Sequence, residues 1–146
     1  MSWESFGPEV LALPWFDSAS ADSVRGLIDA APQVSMVVLY QPDMDEATQL
    51  REAAVMLDLL AHDEADGLVI GARPTDALKV VEGGLVVGSV DRAELIELSP
   101  PAVVKAEALR GALSGSSPEE GCLTSLLARG GRLRWRSSFS SSAGSA

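Results

Sequence analysis

Residues 34–40 read Val-Ser-Met-Val-Val-Leu-Tyr. This short, β-branched and almost wholly apolar run predicts a buried strand. Residues 46–62 repeat apolar side chains at helical spacing, which predicts an amphipathic helix. Asp66-Gly67 then turns into a second buried strand at 68–70. A strand, a helix and a strand in this order form a βαβ unit, so we expect an α/β fold whose sheet is parallel at this point.

The chain before this unit is expected to add one strand and one helix. Val10 to Trp15 is an apolar run broken by Pro14, which suits an edge strand. Ser20 or Asp22 can cap a helix that continues to Ala31.

The chain after the unit predicts a β-hairpin. Two apolar runs, at 77–81 and 85–90, flank the compact turn Glu82-Gly83-Gly84. A two-stranded hairpin is not stable alone in water, so we expect another surface to cover it.

The C-terminal third predicts further short elements. An extended piece at 95–98 stops at Ser99-Pro100-Pro101, and a helix is expected over 102–113 with Val104 on its buried face. Ser117, Pro118 and Glu120 predict the start of another helix that runs to about Leu127, and Leu133 to Arg136 predicts a last strand.

Length and charge set limits on the class of protein. The 146 residues fit a single domain, here expected over 1–136, with a disordered Ser-rich tail at 137–146. A net charge of −10 repels phosphate groups, so we expect neither nucleic acid nor a membrane as a partner. Cys122 is the only cysteine, and the N-terminus has no signal-peptide pattern, so we expect a cytoplasmic protein.

Two candidate sites in the sequence have simpler explanations. His62 lies near acidic residues at a helix end, but no His/Cys ligand set accompanies it, so we expect no metal there. The run Arg132-Leu133-Arg134-Trp135-Arg136 can contact single-stranded nucleic acid, but its period of two favours an edge strand with Leu133 and Trp135 packed inward.

The predicted hairpin and its flanks resemble a known family. The segments that carry the resemblance are Thr75-Asp76-Ala77-Leu78-Lys79, Gly84 to Arg92, Leu95 and Ser99-Pro100-Pro101. In this order and at this spacing they are similar to the arm of the methylerythritol-phosphate cytidylyltransferases, and the weaker similarity covers roughly residues 10 to 136. The residues that match the family pattern are Ser23, Thr75, Asp76, Lys79, Ser89, Asp91, Arg92 and Pro100.

The resemblance implies a Rossmann-like α/β domain of the nucleotide-diphospho-sugar transferase type. It implies that the chain is truncated and lacks the first strand–loop–helix. It also implies that a protruding β-hairpin arm, at about 72–101, joins two copies. In the family, an aspartate binds Mg²⁺ directly after the strand that corresponds to residues 34–40. Gln41 stands at this position here, and Met44 stands where the family has an arginine. We therefore expect no catalytic residues, no metal and no cofactor.

Three functions remain open at the level of sequence. The first is a non-catalytic dimeric scaffold or regulator, which can also pair with a full-length cytidylyltransferase of isoprenoid precursor synthesis. The second is an active cytidylyltransferase that transfers CMP from CTP to methylerythritol phosphate. The third is a module that binds a sugar phosphate near Lys79 and Arg92. A simpler explanation for these two basic residues is an ion pair within the arm.

Overall fold

The computed structural model describes residues 1–14, 20–74, 78–115 and 120–138, and the side chain of Arg92 lies outside this description. The strands are β1 (Val10–Leu13), β2 (Met36–Leu39), β3 (Gly67–Ala72), β4 (Leu78–Glu82), β5 (Leu85–Val90), β6 (Glu97–Lys105) and β7 (Leu133–Arg136). The helices are α1 (Ala21–Asp29), α2 (Glu46–Ala61), α3 (Ala106–Leu113) and α4 (Cys122–Ala128). Short 3₁₀ turns occupy Trp3–Phe6 and Arg92–Glu94.

A mixed five-stranded sheet in the order β1-β2-β6-β3-β7 forms the centre of the described chain. β1 runs parallel to β2, and β3 runs parallel to β7. β6 runs antiparallel to both of its neighbours. The α/β class expected from the sequence is confirmed.

The expected βαβ unit is present, but its two strands are not neighbours. β6 lies between β2 and β3 and pairs with both of them. Its residues Ala102, Val103 and Val104 are fully buried, as a strand in the middle of a covered sheet requires. The prediction of a locally parallel sheet was therefore wrong, because the intervening strand comes from later in the chain.

The helix expected over 102–113 begins only at Ala106. Residues 102–105 belong to β6, so Val104 is a core strand residue and not part of a helix face. A short apolar run is compatible with the period of a helix and with that of a strand. Here residues 102–105 form a strand because they pair with β2 on one side and β3 on the other. Pro100 and Pro101, which lack an N–H group, fall at a register shift where Val69 pairs with Ala102 and Ile70 pairs with Ser99.

Two layers of helices cover the sheet. α1, α3 and α4 pack on one face around Val37, Leu39 and Val69. α2 packs on the other face around Val38 and Val103, and Trp3 joins it there. No helix in the described ranges is both long enough and apolar enough to cross a membrane.

The strand and the helix expected before the βαβ unit are both present, at the β1 edge of the sheet. β1 pairs in parallel with β2, residues 14–20 follow, and α1 begins after them. Ser20 caps α1, because its hydroxyl accepts a hydrogen bond from the Ser23 N–H at 3.3 Å. The predicted edge strand and the predicted cap are both confirmed.

The predicted hairpin is confirmed as β4 and β5, which form a separate two-stranded sheet. Gly83 and Gly84 both have positive φ, of 59° and 80°, which is the backbone that a tight two-residue turn needs. We call residues 78–90 the arm hairpin.

The C-terminal elements agree with the sequence in part. The last predicted strand is confirmed as β7. The helix expected from Ser117 begins at Cys122, and residues 116–119 lie outside the described residues. The predicted tail lies outside them as well, apart from residues 137 and 138.

Candidate functional site

The chain changes faces of the sheet between β1 and β2. β1 leads to α1 on one face, whereas β2 leads to α2 on the other face. A crevice opens between neighbouring parallel strands at such a switch point, and it is the usual ligand site of α/β sheets. Residues 40–45 follow β2, so they border the crevice expected at this point, whereas residues 15–19, after β1, lie outside the described residues.

Gln49 holds the loop that follows β2. Its side chain is 3% exposed, and its Oε1 accepts a hydrogen bond from the Gln41 N–H at 2.8 Å. Its Nε2 donates to the Gln41 carbonyl at 2.7 Å and to the Met44 carbonyl at 3.3 Å. The loop is therefore fixed by an amide inside the protein.

Asp45 is engaged in capping α2. One carboxylate oxygen accepts from the Ala47 and Thr48 N–H groups, at 3.2 and 3.5 Å. The other accepts from the Thr48 hydroxyl at 2.6 Å. The hydrogen bond from the Thr48 hydroxyl, followed by that from its N–H, lowers the pKa of Asp45. A carboxylate that serves as a helix cap on both oxygens is poorly placed to bind a cation.

The electrostatics of the crevice are unfavourable for polyphosphate. No lysine or arginine occurs at positions 14–20 or 26–50. The Tyr40 ring stacks on Trp3 with ring centroids 4.3 Å apart. Burial, with smaller contributions from Glu46 and Glu4, raises the pKa of Tyr40. Polyphosphate binding needs cations or converging N–H groups. The two loops supply no cationic side chain, and the guanidinium of Arg51, beside Asp45 at the start of α2, donates to the Thr48 hydroxyl at 3.3 Å.

Asp43 is the remaining carboxylate of the loop. Gln41, which stands where the family has its Mg²⁺-binding aspartate, donates to Asp43 through its side-chain amide at 3.5 Å. Within the described parts of the chain, no group of three or more His, Cys, Asp or Glu side chains is placed to hold a metal ion. One carboxylate beside a neutral amide is a weak Mg²⁺ site.

The sequence-predicted site residues do not converge on one place in the described structure. Lys79 and Ser89 face each other across the arm hairpin, with Lys79 Nζ 2.7 Å from Ser89 Oγ. Asp91 accepts from the Ala93 N–H at 2.9 Å and so shapes the turn after the hairpin. Pro100 lies in β6, on the main sheet. Ser23 lies in α1 and pairs with Ser20.

The structure does not describe the side chains of three of these residues. Thr75 and Asp76 lie outside the described residues, and so does the side chain of Arg92. Lys79 donates to the Ser89 hydroxyl, and because Asp76 lies outside the described residues, the ion pair that we considered for Lys79 stays a prediction. Whether Arg92 pairs with a carboxylate stays a prediction.

The arginines near the C-terminus are largely engaged within the protein. Arg134 forms an ion pair with Asp63, with Nε 2.7 Å from the carboxylate. Arg132 donates to the Glu64 carbonyl at 3.0 Å. Leu133 packs against the core as expected, but Trp135 remains 40% exposed, so the prediction of its burial was wrong. Trp135 lies on β7, the edge strand of the sheet.

Two further side chains, His62 and Cys122, show no sign of reactivity among the described residues. His62 borders a shallow groove of about 420 Å³ between α2 and β7, where Asp63 is already paired with Arg134. Burial raises the pKa of Cys122 to about 11, so this thiol stays protonated and is a poor nucleophile near neutral pH.

Two important residues escaped the sequence analysis. They are Gln49, which lies on α2, and Trp3, which lies near the N-terminus. A glutamine on the apolar face of α2 is the signal that marks a buried polar anchor. No comparable signal marks Trp3, because its partner Tyr40 is distant in sequence.

Comparison with known proteins places the fold. Neither a family model nor a curated protein matches the chain. A solved 4-diphosphocytidyl-2C-methyl-D-erythritol synthase is 21% identical, with a TM-score of 0.58 over 81% of this chain and 57% of that one. The 2-C-methyl-D-erythritol 4-phosphate cytidylyltransferase of Thermus thermophilus is 17% identical, with a TM-score of 0.61 over 80% of this chain and 58% of its own.

A third similar structure is the 2-C-methyl-D-erythritol 4-phosphate cytidylyltransferase of Francisella tularensis. It is 11% identical, with a TM-score of 0.58 over 86% of this chain and 70% of that one. The fold expected from the resemblance is confirmed. The chain spans a little under three-fifths of the length of the first two of these structures.

Proposed function

We propose that this chain is a non-catalytic, homodimeric scaffold or regulator built on the cytidylyltransferase fold. Two copies associate through the arm hairpin. The proposal rests on two features of the described residues: an uncovered apolar arm, and a crevice whose polar groups are engaged in holding its own loop.

The exposed apolar surface of the arm hairpin is the observation that carries the proposal. Its exposed large apolar residues range from 36% exposed for Leu78 to 69% for Leu85. They are Leu78, Val80, Val81, Leu85, Val86 and Val87. Neighbouring residues of a strand point to opposite faces, so both faces of the hairpin are apolar. A second copy of the same hairpin is a self-complementary cover for such a surface.

The crevice lacks the groups that nucleotidyl transfer needs, and for this reason we propose that the chain is not catalytic. Nucleotidyl transfer needs a held metal ion and cations around the phosphates. Gln41 stands at the position of the metal-binding aspartate, Asp45 caps α2, and the bordering loops contain no lysine or arginine. These residues support a protein that keeps the fold and has lost its chemistry.

The dimer is tested by light scattering on the purified protein and on a Val86→Asp variant. Val86 is 66% exposed, so the aspartate leaves the folded monomer intact but places a charge in the proposed interface. We expect the mass of a dimer for the native chain and the mass of a monomer for the variant. Leu127→Asp is the matched control, because Leu127 is 53% exposed on α4, outside the arm hairpin. A monomeric native chain would overturn the proposal.

The absence of catalysis is tested by incubating the dimer with CTP, Mg²⁺ and methylerythritol phosphate and measuring pyrophosphate. We expect none above background. Release that disappears in an Asp43→Ala variant would instead support the active cytidylyltransferase, because Asp43 is the remaining carboxylate of the loop. If the Asp43→Ala variant still releases pyrophosphate, the protein is removed by immunodepletion. Pyrophosphate release that continues after this removal comes from a contaminating enzyme.

The heterodimer with a full-length cytidylyltransferase belongs to the same proposal. The arm hairpin is the surface that such an enzyme would cover. Mixing the two purified proteins and measuring mass distinguishes the cases: a mixed dimer supports this partner, and two separate homodimers exclude it.

A further inference from the structure

The N-terminal residues lie on the sheet without joining it. In the described structure, every hydrogen bond of residues 1–7 stays within residues 1–10. Backbone bonds toward β2 begin only at Glu9, whose carbonyl accepts from the Ser35 and Met36 N–H groups at 2.8 and 3.2 Å. Side-chain packing therefore holds residues 1–7 on the domain. We call these residues the N-terminal strap.

Trp3 is the main anchor of the N-terminal strap. Its side chain is 8% exposed and belongs to the apolar cluster under α2, together with Val38 and Leu50. Its ring stacks on the Tyr40 ring at an angle of 19°, and the centroid of the half-buried Phe6 ring lies 6.1 Å from its own. The strap thus contributes one buried ring and one half-buried ring to the core.

Two costs oppose closure of the N-terminal strap. Its residues lose backbone freedom when they settle on the sheet. The Trp3 Nε1–H group is buried and has no acceptor among the described residues, and a polar group that leaves water without gaining a partner destabilises the folded state. Segments with few buried apolar contacts open locally while the rest of a domain stays folded, and the strap is of this kind.

Gly7 is the joint between the N-terminal strap and β1. Its φ of 91° and ψ of 177° lie in a region that essentially only glycine occupies. A Cβ atom at this position would meet nothing within 4 Å, so the backbone, and not the packing, requires the glycine. The ring of Pro8, the next residue, restricts its own φ. Gly7 is therefore the freest point of rotation before the sheet begins.

We propose that the N-terminal strap opens about Gly7 while the rest of the domain stays folded, and that Trp3 is the latch that closes it on Tyr40. Tyr40 directly follows β2 and belongs to the loop 40–45, which borders the expected crevice. The closed strap covers one face of the Tyr40 ring, and the open strap exposes it. The strap thereby controls access to an aromatic surface at the edge of the crevice. This inference does not depend on the arm hairpin or on the dimer.

The opening is measured on the full chain with Trp15→Phe and Trp135→Phe, which leave Trp3 as the only one of its three tryptophans. Acrylamide quenching of Trp3 fluorescence is followed through a urea titration, and far-UV circular dichroism reports the fold of the domain. We expect the quenching constant to rise at least threefold at urea concentrations that leave the circular dichroism unchanged. A single transition shared by both signals would overturn the inference, because Trp3 would then belong to the cooperative core.

The joint and the latch are tested together through Tyr40, the only tyrosine of the chain. In Gly7→Ala, alanine disfavours the closed backbone, so we expect tetranitromethane to nitrate Tyr40 at least tenfold faster, with an unchanged urea midpoint by circular dichroism. Gly130→Ala is the matched control, because Gly130 has a φ of 85° and equally open surroundings. It should lower the urea midpoint and leave the nitration rate unchanged.

The outcomes separate this inference from the proposed function. Early exposure of Trp3 together with faster nitration in Gly7→Ala supports the strap and its latch. If Gly7→Ala lowers the urea midpoint as Gly130→Ala does and leaves nitration unchanged, the strap does not open by itself and the inference is overturned. Neither result bears on the mass of the native chain or on pyrophosphate release, which test the proposed function.

Discussion

Gln49 determines the shape of the loop after β2 because it satisfies that loop's backbone from inside the protein. Replacing it with alanine leaves the N–H and C=O groups of Gln41 without their partner. An unpaired polar group in a partly buried position costs about 1–3 kcal/mol. We expect Gln49→Ala to lower the free energy of unfolding by about that amount in a urea titration.

The control for this prediction is Gln33→Ala. Gln33 is exposed, so its removal should change the free energy of unfolding by less than about 0.5 kcal/mol. Equal stability of the two variants would mean that the loop does not depend on the buried amide.

Asp63 gives stability a dependence on pH. The hydrogen bonds and charge of Arg134, with the Ala65 N–H, lower the pKa of Asp63 below its ordinary value of about 3.9. A lowered pKa means that this carboxylate stabilises the folded state above that ordinary value and loses its contribution as the pH falls through the lower, folded-state pKa. Asp63→Asn should therefore flatten the decline of the urea midpoint between about pH 5 and pH 2.

Asp58→Asn serves as the comparison for the acid titration. Asp58 is exposed on α2, shortly before Asp63 in the chain, and forms no ion pair within the part of the chain that the structure describes. Its variant should decline with pH as the native chain does. An unchanged decline in Asp63→Asn would show that the ion pair with Arg134 contributes nothing in solution.

The sequence predicts the structural role of a residue well where that role depends only on neighbouring positions in the chain. Ser20 as a cap and Gly83-Gly84 as a turn follow from neighbouring positions, and the structure confirms them. The exposure of Trp135 and the stacking of Trp3 on Tyr40 depend on segments that meet only in the folded chain. No spacing along the sequence contains that information.

At the scale of elements, β3 depends on a close contact with both neighbouring strands. A Cβ atom at Gly67 would lie 2.7 Å from Leu133 Cδ2 and 2.9 Å from the Val103 carbonyl oxygen. The carbonyl belongs to the central strand and cannot move away without breaking the pairing. We expect Gly67→Ala to cost about 1–3 kcal/mol in the free energy of unfolding, as overpacking of a core does.

Gly26→Ala is the matched control and should act in the opposite direction. Gly26 lies inside α1, and a Cβ atom there meets nothing within 4 Å. Alanine in a helix interior is more stable than glycine by about 0.5–1 kcal/mol. Destabilisation by both substitutions to a similar extent would contradict the packing described for β3.

Most elements were predictable from period and turn chemistry, but their order in the sheet was not. The β2, α2 and β3 segments were read correctly, and so were the two strands of the arm hairpin. The placement of β6 between β2 and β3 was missed, because Pro100 and Pro101 marked an end in the sequence where the strand only shifts its register. Local signals report where the backbone bends, and long-range pairing decides whether a strand continues.

At the scale of the whole molecule, the fold and the chemistry have to be argued separately. The similar structures agree on architecture at 11% to 21% identity, and a shared fold does not establish a shared reaction. The crevice at the switch point borders an amide, a capping aspartate and loops without a cation. The arm hairpin, in contrast, exposes the apolar residues that association requires. We therefore propose that the chain acts through association of the arm hairpin and carries out no reaction at the crevice.

The most direct test of this account is a calorimetric titration of CTP with Mg²⁺ into the purified protein, whose mass is measured in the same buffer. We predict a dimer that binds CTP at millimolar affinity or more weakly, with no dependence on Mg²⁺. Micromolar binding that requires Mg²⁺ would contradict the account, because the crevice would then hold a nucleotide and its metal ion.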